Sequence, residues 1–169
     1  YENGKNTVSY GNSNLERQLE IVSQLISGGL KSRIYFVEFG GFDTHDTQVD
    51  LSDRTKGQHA VLLKRLNDAV ITFIKNLDAS GHSENVLTMT FSEFGRTIVS
   101  NETNGTDHGT AAPLFIFGNK VDSSISGANP QIPESVNWED NLNSEFDFRQ
   151  VYASIINQWM SGGKKSAKD

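Results

Sequence analysis

Three short apolar runs constrain the fold of this chain more than any other feature: Arg33 to Phe39 (RIYFVEF), Val86 to Phe91 (VLTMTF) and Pro113 to Phe117 (PLFIF). They are rich in β-branched and aromatic residues and read as buried strands. Stretches with the helical period lie around them. Leu15, Leu19, Val22 and Ile26 form one stripe, which ends near Gly28-Gly29. Leu62, Leu66, Ala69, Val70, Phe73 and Leu77 form a second, which stops at Ser80-Gly81. Phe148, Val151, Tyr152, Ile155 and Trp159 form a third. Thr55 with Gln58, and Ser144 with Asp147, stand where capping boxes would open the second and third helices. The order α-β-α-β-β-α predicts an α/β fold with a largely parallel sheet covered by helices.

At 169 residues the chain is long enough to bury one core, and no repeat or composition shift divides it, so residues 1–169 read as a single domain. Residues 1–13 and 162–169 are polar or lysine-rich and read as loose ends. The net charge of −6 argues against a nucleic-acid binder, which needs a basic face. The chain has no cysteine, which excludes disulfides and thiolate metal sites; a cation here must use oxygen and imidazole ligands. No apolar run approaches the roughly 20 residues of a membrane helix. The first residue is Tyr1 rather than Met, so the chain reads as a processed product or an excised piece, and the lack of a visible signal peptide is then uninformative.

Three polar motifs adjoin the apolar runs: GGFDTH at Gly40 to His45, SEFGRT at Ser92 to Thr97, and GTDHGTA at Gly105 to Ala111. In open parallel sheets ligand sites lie outside the carboxyl ends of the strands, where the first two motifs fall. Asp43 and His45 are two apart and, if extended geometry persists, share a side. They suit one divalent cation, or else a solvated turn in which Asp43 bonds nearby backbone N–H groups. Asp46 could stand in for Asp43. Glu93 is a ligand or general base and Arg96 an anion clamp, or the two form an ion pair with the arginine stem on Phe94, or Glu93 caps a following helix. His108 is a metal ligand with Asp107 as ligand or orienter, or the pair is an Asx turn with an exposed imidazole. His59 reads as a capping or packing residue and His82 as solvated. No G-x-S-x-G elbow, Walker loop or G-x-G-x-x-G is present, so neither a serine nucleophile nor a nucleotide cradle is assigned.

In this order and spacing, LISGGLKSRIYFVEFGGFDTHDTQ, VLTMTFSEFGRTIVSNETNGTDHGTAAPLFIFG and DFRQVYASIINQWM resemble a large family of exported bacterial proteins. Its members carry a domain of unknown function placed in the alkaline phosphatase and sulfatase superfamily. The likeness runs from about Leu15 to Met160. It implies an alkaline phosphatase-like three-layer sandwich, helices around a mostly parallel sheet, with divalent metals at the strand ends that activate a hydroxyl nucleophile for phosphoryl or sulfuryl transfer. GGFDTH looks like the Asp-and-His ligand segment, SEFGR like the later acidic motif with Glu93 as its acid, and GTDHG like the last His-bearing loop. Phe94 stands where a His or Asn often follows the acidic ligand. The superfamily's nucleophile and first Asp ligand lie in an N-terminal half, so this chain looks like the C-terminal part of a larger domain.

The reading is therefore the metal-binding part of a phosphatase- or sulfatase-like hydrolase of an anionic ester, small molecule or polymer. Asp43, His45, Glu93 and His108 are its expected ligands, Asp107 an auxiliary one, and Arg96 faces the ester. Mixed nitrogen and oxygen ligation favours zinc, with manganese, magnesium or calcium as alternatives. The rival is a non-catalytic exported protein that uses the same cleft to bind a ligand or glycan.

Overall fold

The structure is a computed structural model that describes residues 3–122 and 124–161. The end at 162–169 expected to be loose lies outside the described residues, as do Tyr1 and Glu2. Helix α1 spans Asn14–Ser27. Ser13 caps it, its hydroxyl accepting from the Glu16 N–H at 3.3 Å while the Glu16 carboxylate accepts from the Ser13 N–H at 3.0 Å. Gly28 closes it and Gly29 turns the chain with φ 80°. Helix α2, Gln58–Ala79, ends at Ser80 and Gly81. Its start differs from the expected capping box. The N-cap is Gly57, with no side-chain cap bond, and Thr55 instead donates to Asp53 at 2.6 Å. The nearer aspartate captures the hydroxyl before the helix can.

The two stripes meet as their periodicity requires. Leu15, Leu19 and Val22 of α1 and Ala69, Phe73 and Leu77 of α2 are buried together. Tyr35, Val37 and Phe39 pack on this core from one side of the run at 33–39, while Ile34 and Phe36 on the other side are 75% and 72% exposed. The run is extended, with the alternation of a strand, but belongs to no ladder among the described residues. A side chain serves as its partner at one point. The Gln18 amide donates to the Glu38 carbonyl at 2.8 Å and accepts from the Glu38 N–H at 2.9 Å, pairing both backbone groups of that residue.

The ladders are short. Strand β1, Thr88–Met89, pairs antiparallel with β4, Ile116–Phe117. Between them, β2 (Gly95–Ser100) and β3 (Thr106–Gly109) form a second antiparallel pair. The Asn-, Thr- and Gly-rich stretch 99–112 is thus largely a hairpin. The short connection from Ser100 to Thr106 permits only antiparallel pairing, because a parallel partner needs a long crossover. Both ladders among the described residues are antiparallel, and the larger, mostly parallel sandwich belongs with the proposal below. Helix α3, Phe148–Ser154, continues as a wider turn over Ile155–Met160. Asp147 is itself the N-cap, with Gln150 completing its box. This replaces the expected Ser144–Asp147 box, because the acid lies next to the helix start.

Asn76 ties the N-terminal segment to α2. It is fully buried, and its side-chain oxygen accepts from the Thr7 N–H at 2.7 Å, the Thr7 hydroxyl at 3.1 Å and the Val8 N–H at 3.1 Å. Its amide donates to Asn6 at 3.1 Å, and nearby the Tyr10 and buried Ser23 hydroxyls meet at 2.7 Å. Truncating Asn76 leaves two backbone donors without their acceptor. Asn76→Ala is expected to lower unfolding free energy by about 1–3 kcal/mol in urea denaturation. A loss below about 0.5 kcal/mol would mean that water replaces the amide at little cost.

Candidate metal centre

Two segments bring the site residues together. In GGFDTH, Thr44 is 1% exposed and donates to Gln48 at 3.2 Å, so Asp43 and His45, one residue to either side, fall on the opposite, outward side. The β2–β3 hairpin supplies the rest, with Arg96 directly across from His108. Its turn is organised by Asn101, whose side-chain oxygen accepts from the Thr103 N–H at 3.1 Å and the Gly105 N–H at 3.0 Å. The Asn101 amide and the Thr103 hydroxyl both donate to the His45 carbonyl, at 2.6 and 2.8 Å. Gly105 lies so close to that carbonyl that no Cβ fits. The hairpin turn and the first motif are thus bonded through the backbone of the histidine they present.

Asp43 Oδ1 sits between two imidazoles, 2.7 Å from His108 Nε2 and 3.0 Å from His45 Nε2. The other nitrogen of His45, Nδ1, is 2.9 Å from Asp107 Oδ1. The ligand atoms of Asp43, His45 and His108 lie within 4.8 Å of one another. At tetrahedral angles two ligand atoms each about 2.1 Å from an ion lie roughly 3.4 Å apart, so closing on an ion needs the widest separation to shrink by about 1.4 Å. Two imidazoles and a carboxylate, all outward-facing, suit a divalent cation with positions left open. Asp107 stands behind His45, where it fixes the imidazole's orientation and tautomer.

Arg96 and Phe94 brace this group. The Arg96 side chain is 18% exposed; it donates to the Thr106 carbonyl at 2.6 Å and to the Phe42 carbonyl, and its Nη2 lies 3.6 Å from Asp43 Oδ1. Phe94 stacks on the His108 ring, centroids 3.9 Å apart and planes within 5°, and the Arg96 guanidinium lies 5.0 Å from the Phe94 ring centre. The aromatic after the acidic residue thus acts as a platform for the histidine. Glu93, one residue out of phase with Phe94 and Arg96, is exposed and is not drawn into the cluster among the described residues. His59 packs edge-on against Phe42, with burial and then nearby Arg96 pushing its pKa down. His82 is half-buried in the turn after α2. Asn101 and Thr103 are supporting residues that the motifs alone do not single out, and their only local sign is an Asn-x-Thr-x-Gly turn sequence.

The chain matches the family described as Protein of unknown function (DUF1501) over residues 17–157 and belongs to it. Nothing among the curated proteins or the solved structures matches it. The match covers both segments that build the cluster.

Hydrogen bonding from His108 holds the Asp43 carboxyl below the usual carboxylate range, helped by the charges of His45, His108 and Arg96. Asp107 is lowered in the same sense, first by His45 and then by Asn101. A depressed folded-state pKa stabilises the fold above the ordinary value, and that contribution is lost as pH falls through the depressed one. In His108→Ala the Asp43 carboxyl, followed by carbon NMR in metal-free protein, is expected to titrate at higher pH than in the parent. An unchanged midpoint would show that the two side chains do not meet in solution.

Proposed function

We propose that this chain is the metal-binding part of a phosphatase- or sulfatase-like hydrolase acting on an anionic ester. The observation that carries the reading is the convergence of His45 Nε2 and His108 Nε2 on Asp43 Oδ1. Three protein ligands with open positions are the pattern of catalytic rather than structural zinc. A bound cation would polarise a phosphoryl or sulfuryl oxygen and offset the charge that develops there. Asp43, His45 and His108 hold the cation in this reading, and Asp107 acts through His45 as a positioning residue. Arg96 keeps the Asp43 segment against the hairpin and places positive charge beside the site, which favours an anionic group. Exposed Glu93 stands apart from the ligand set. The larger three-layer sandwich and an exported location belong to the same proposal and rest on the motif resemblance. Zinc is the favoured ion, with manganese, magnesium and calcium as alternatives.

Elemental analysis and calorimetry with each of the four ions test this. The parent is expected to take up one zinc per chain. His45→Ala and His108→Ala should each lose most of that affinity, Asp107→Asn should weaken it about 10–100-fold, and Glu93→Gln should leave it unchanged. Failure of all four ions to bind, or histidine variants that bind as the parent does, would sink the reading.

A further inference from the structure

A second cleft adjoins the cluster and shares Asp107 with it. It has a volume of about 310 Å³ and is lined by Thr97, Ser100, Asn101, Glu102 and Asp107 along the hairpin, with Trp138 from the irregular segment after β4. Trp138 is 73% exposed, a large flat apolar face left in solvent beside a row of polar groups. Neither the core nor the cation site uses it.

The polar groups differ in what they have left to offer. Asn101 is committed to the turn and to the His45 carbonyl. The Thr97 hydroxyl is engaged with the Val99 carbonyl and the Asp107 N–H. Among the described residues, Glu102 and Ser100 make no side-chain hydrogen bond, and Asp107 bonds His45 and Asn101 through Oδ1 alone. The open capacity of the cleft is therefore chiefly carboxylate acceptors and one hydroxyl, facing an indole. Carboxylates repel an anion, so an ester's charged group belongs at the cation and not here. They accept well from neighbouring hydroxyls, and an indole face covers an apolar C–H surface. A ring with hydroxyls on its edge and C–H groups on its face matches both demands. The volume lies at the small end of ligand sites, suited to one such ring.

We infer that this cleft is a subsite for a pyranose sugar, held by stacking on Trp138 and by hydroxyl bonds to Glu102, Ser100 and the free oxygen of Asp107. Taken with the hydrolase reading, on which this extension rests, it specifies the ester as that of a sulfated or phosphorylated sugar. The ring occupies the cleft while its charged group reaches the cation beyond Asp107.

Saturation-transfer NMR with the methyl glycosides of glucose, galactose, mannose and N-acetylglucosamine, in metal-free protein, tests the subsite directly. At least one is expected to receive saturation on its ring protons. Trp138→Ala should abolish the effect and Glu102→Gln weaken binding about tenfold, with circular dichroism confirming that the exposed substitutions leave the fold intact. No transfer to any of the four sugars, or equal transfer in Trp138→Ala, overturns the inference. The 6-sulfate of the sugar that binds is then titrated with zinc present. Tighter binding than that of the neutral sugar, lost in His108→Ala, supports both readings. Trp138-dependent binding of the neutral sugar without a zinc-dependent gain leaves the subsite standing and removes the hydrolase reading.

Discussion

The site depends on what the Arg96 guanidinium does with its donors. One goes to the Thr106 carbonyl on the opposite strand and another to the Phe42 carbonyl in the first motif. A single side chain thereby joins two stretches more than 50 residues apart in sequence, and its remaining charge faces Asp43. A lysine could not do this, because its point charge lacks the planar fork that serves two carbonyls at once. With most of its surface withdrawn from water, the charge remains tolerable because carbonyl oxygens surround it and a carboxylate lies nearby. Asp43 receives its position from the same arrangement.

A second layer of the same logic runs through the backbone of His45. Its carbonyl accepts from Asn101 and Thr103, and its imidazole is held between Asp43 and Asp107. Both ends of the residue are fixed, so little rotamer entropy remains to be lost if an ion binds. Gly105 makes this approach feasible, since a side chain there would meet the His45 carbonyl. The glycines of GTDHG thus set distances between segments, since a Cβ at Gly105 or Gly109 would meet neighbouring backbone.

The helices were legible because their information is local. A stripe such as Leu62, Leu66, Ala69, Val70, Phe73 and Leu77 shows its buried face without reference to any other segment. Pairing of strands carries no such local mark. RIYFVEF has the alternation and composition of a strand, yet it lies extended beside Gln18 and the helices. The hairpin at 95–109 has few apolar residues and was masked by its Asn-, Thr- and Gly-rich turn. Its register, which sets Arg96 opposite His108, follows from hydrogen bonds that no pattern within either strand encodes. Of the site, Asp43, His45, Asp107 and His108 were legible as residue types suited to the chemistry and are brought together. Glu93 suits the chemistry on equal grounds, but it lies in the exposed bend before β2 and outside the cluster.

Phe94 shows how a residue that departs from a motif can still belong to the site. In the proposed hydrolase reading, an aromatic where the resembled superfamily often has a His or Asn would remove one donor from the cation site. The same ring lies flat on His108 and beneath the Arg96 guanidinium, so it restricts the imidazole and keeps cationic charge over its face. In that reading a second cation would need a ligand at this position and would add to the positive charge that Arg96 already supplies. A single cation needs neither, and it gains a histidine held in one plane. If the cluster holds a cation, the arrangement of Phe94, Arg96 and His108 would favour one ion over two. In the proposed hydrolase reading, the positive charge that a second ion would bring to an anionic ester would fall to Arg96.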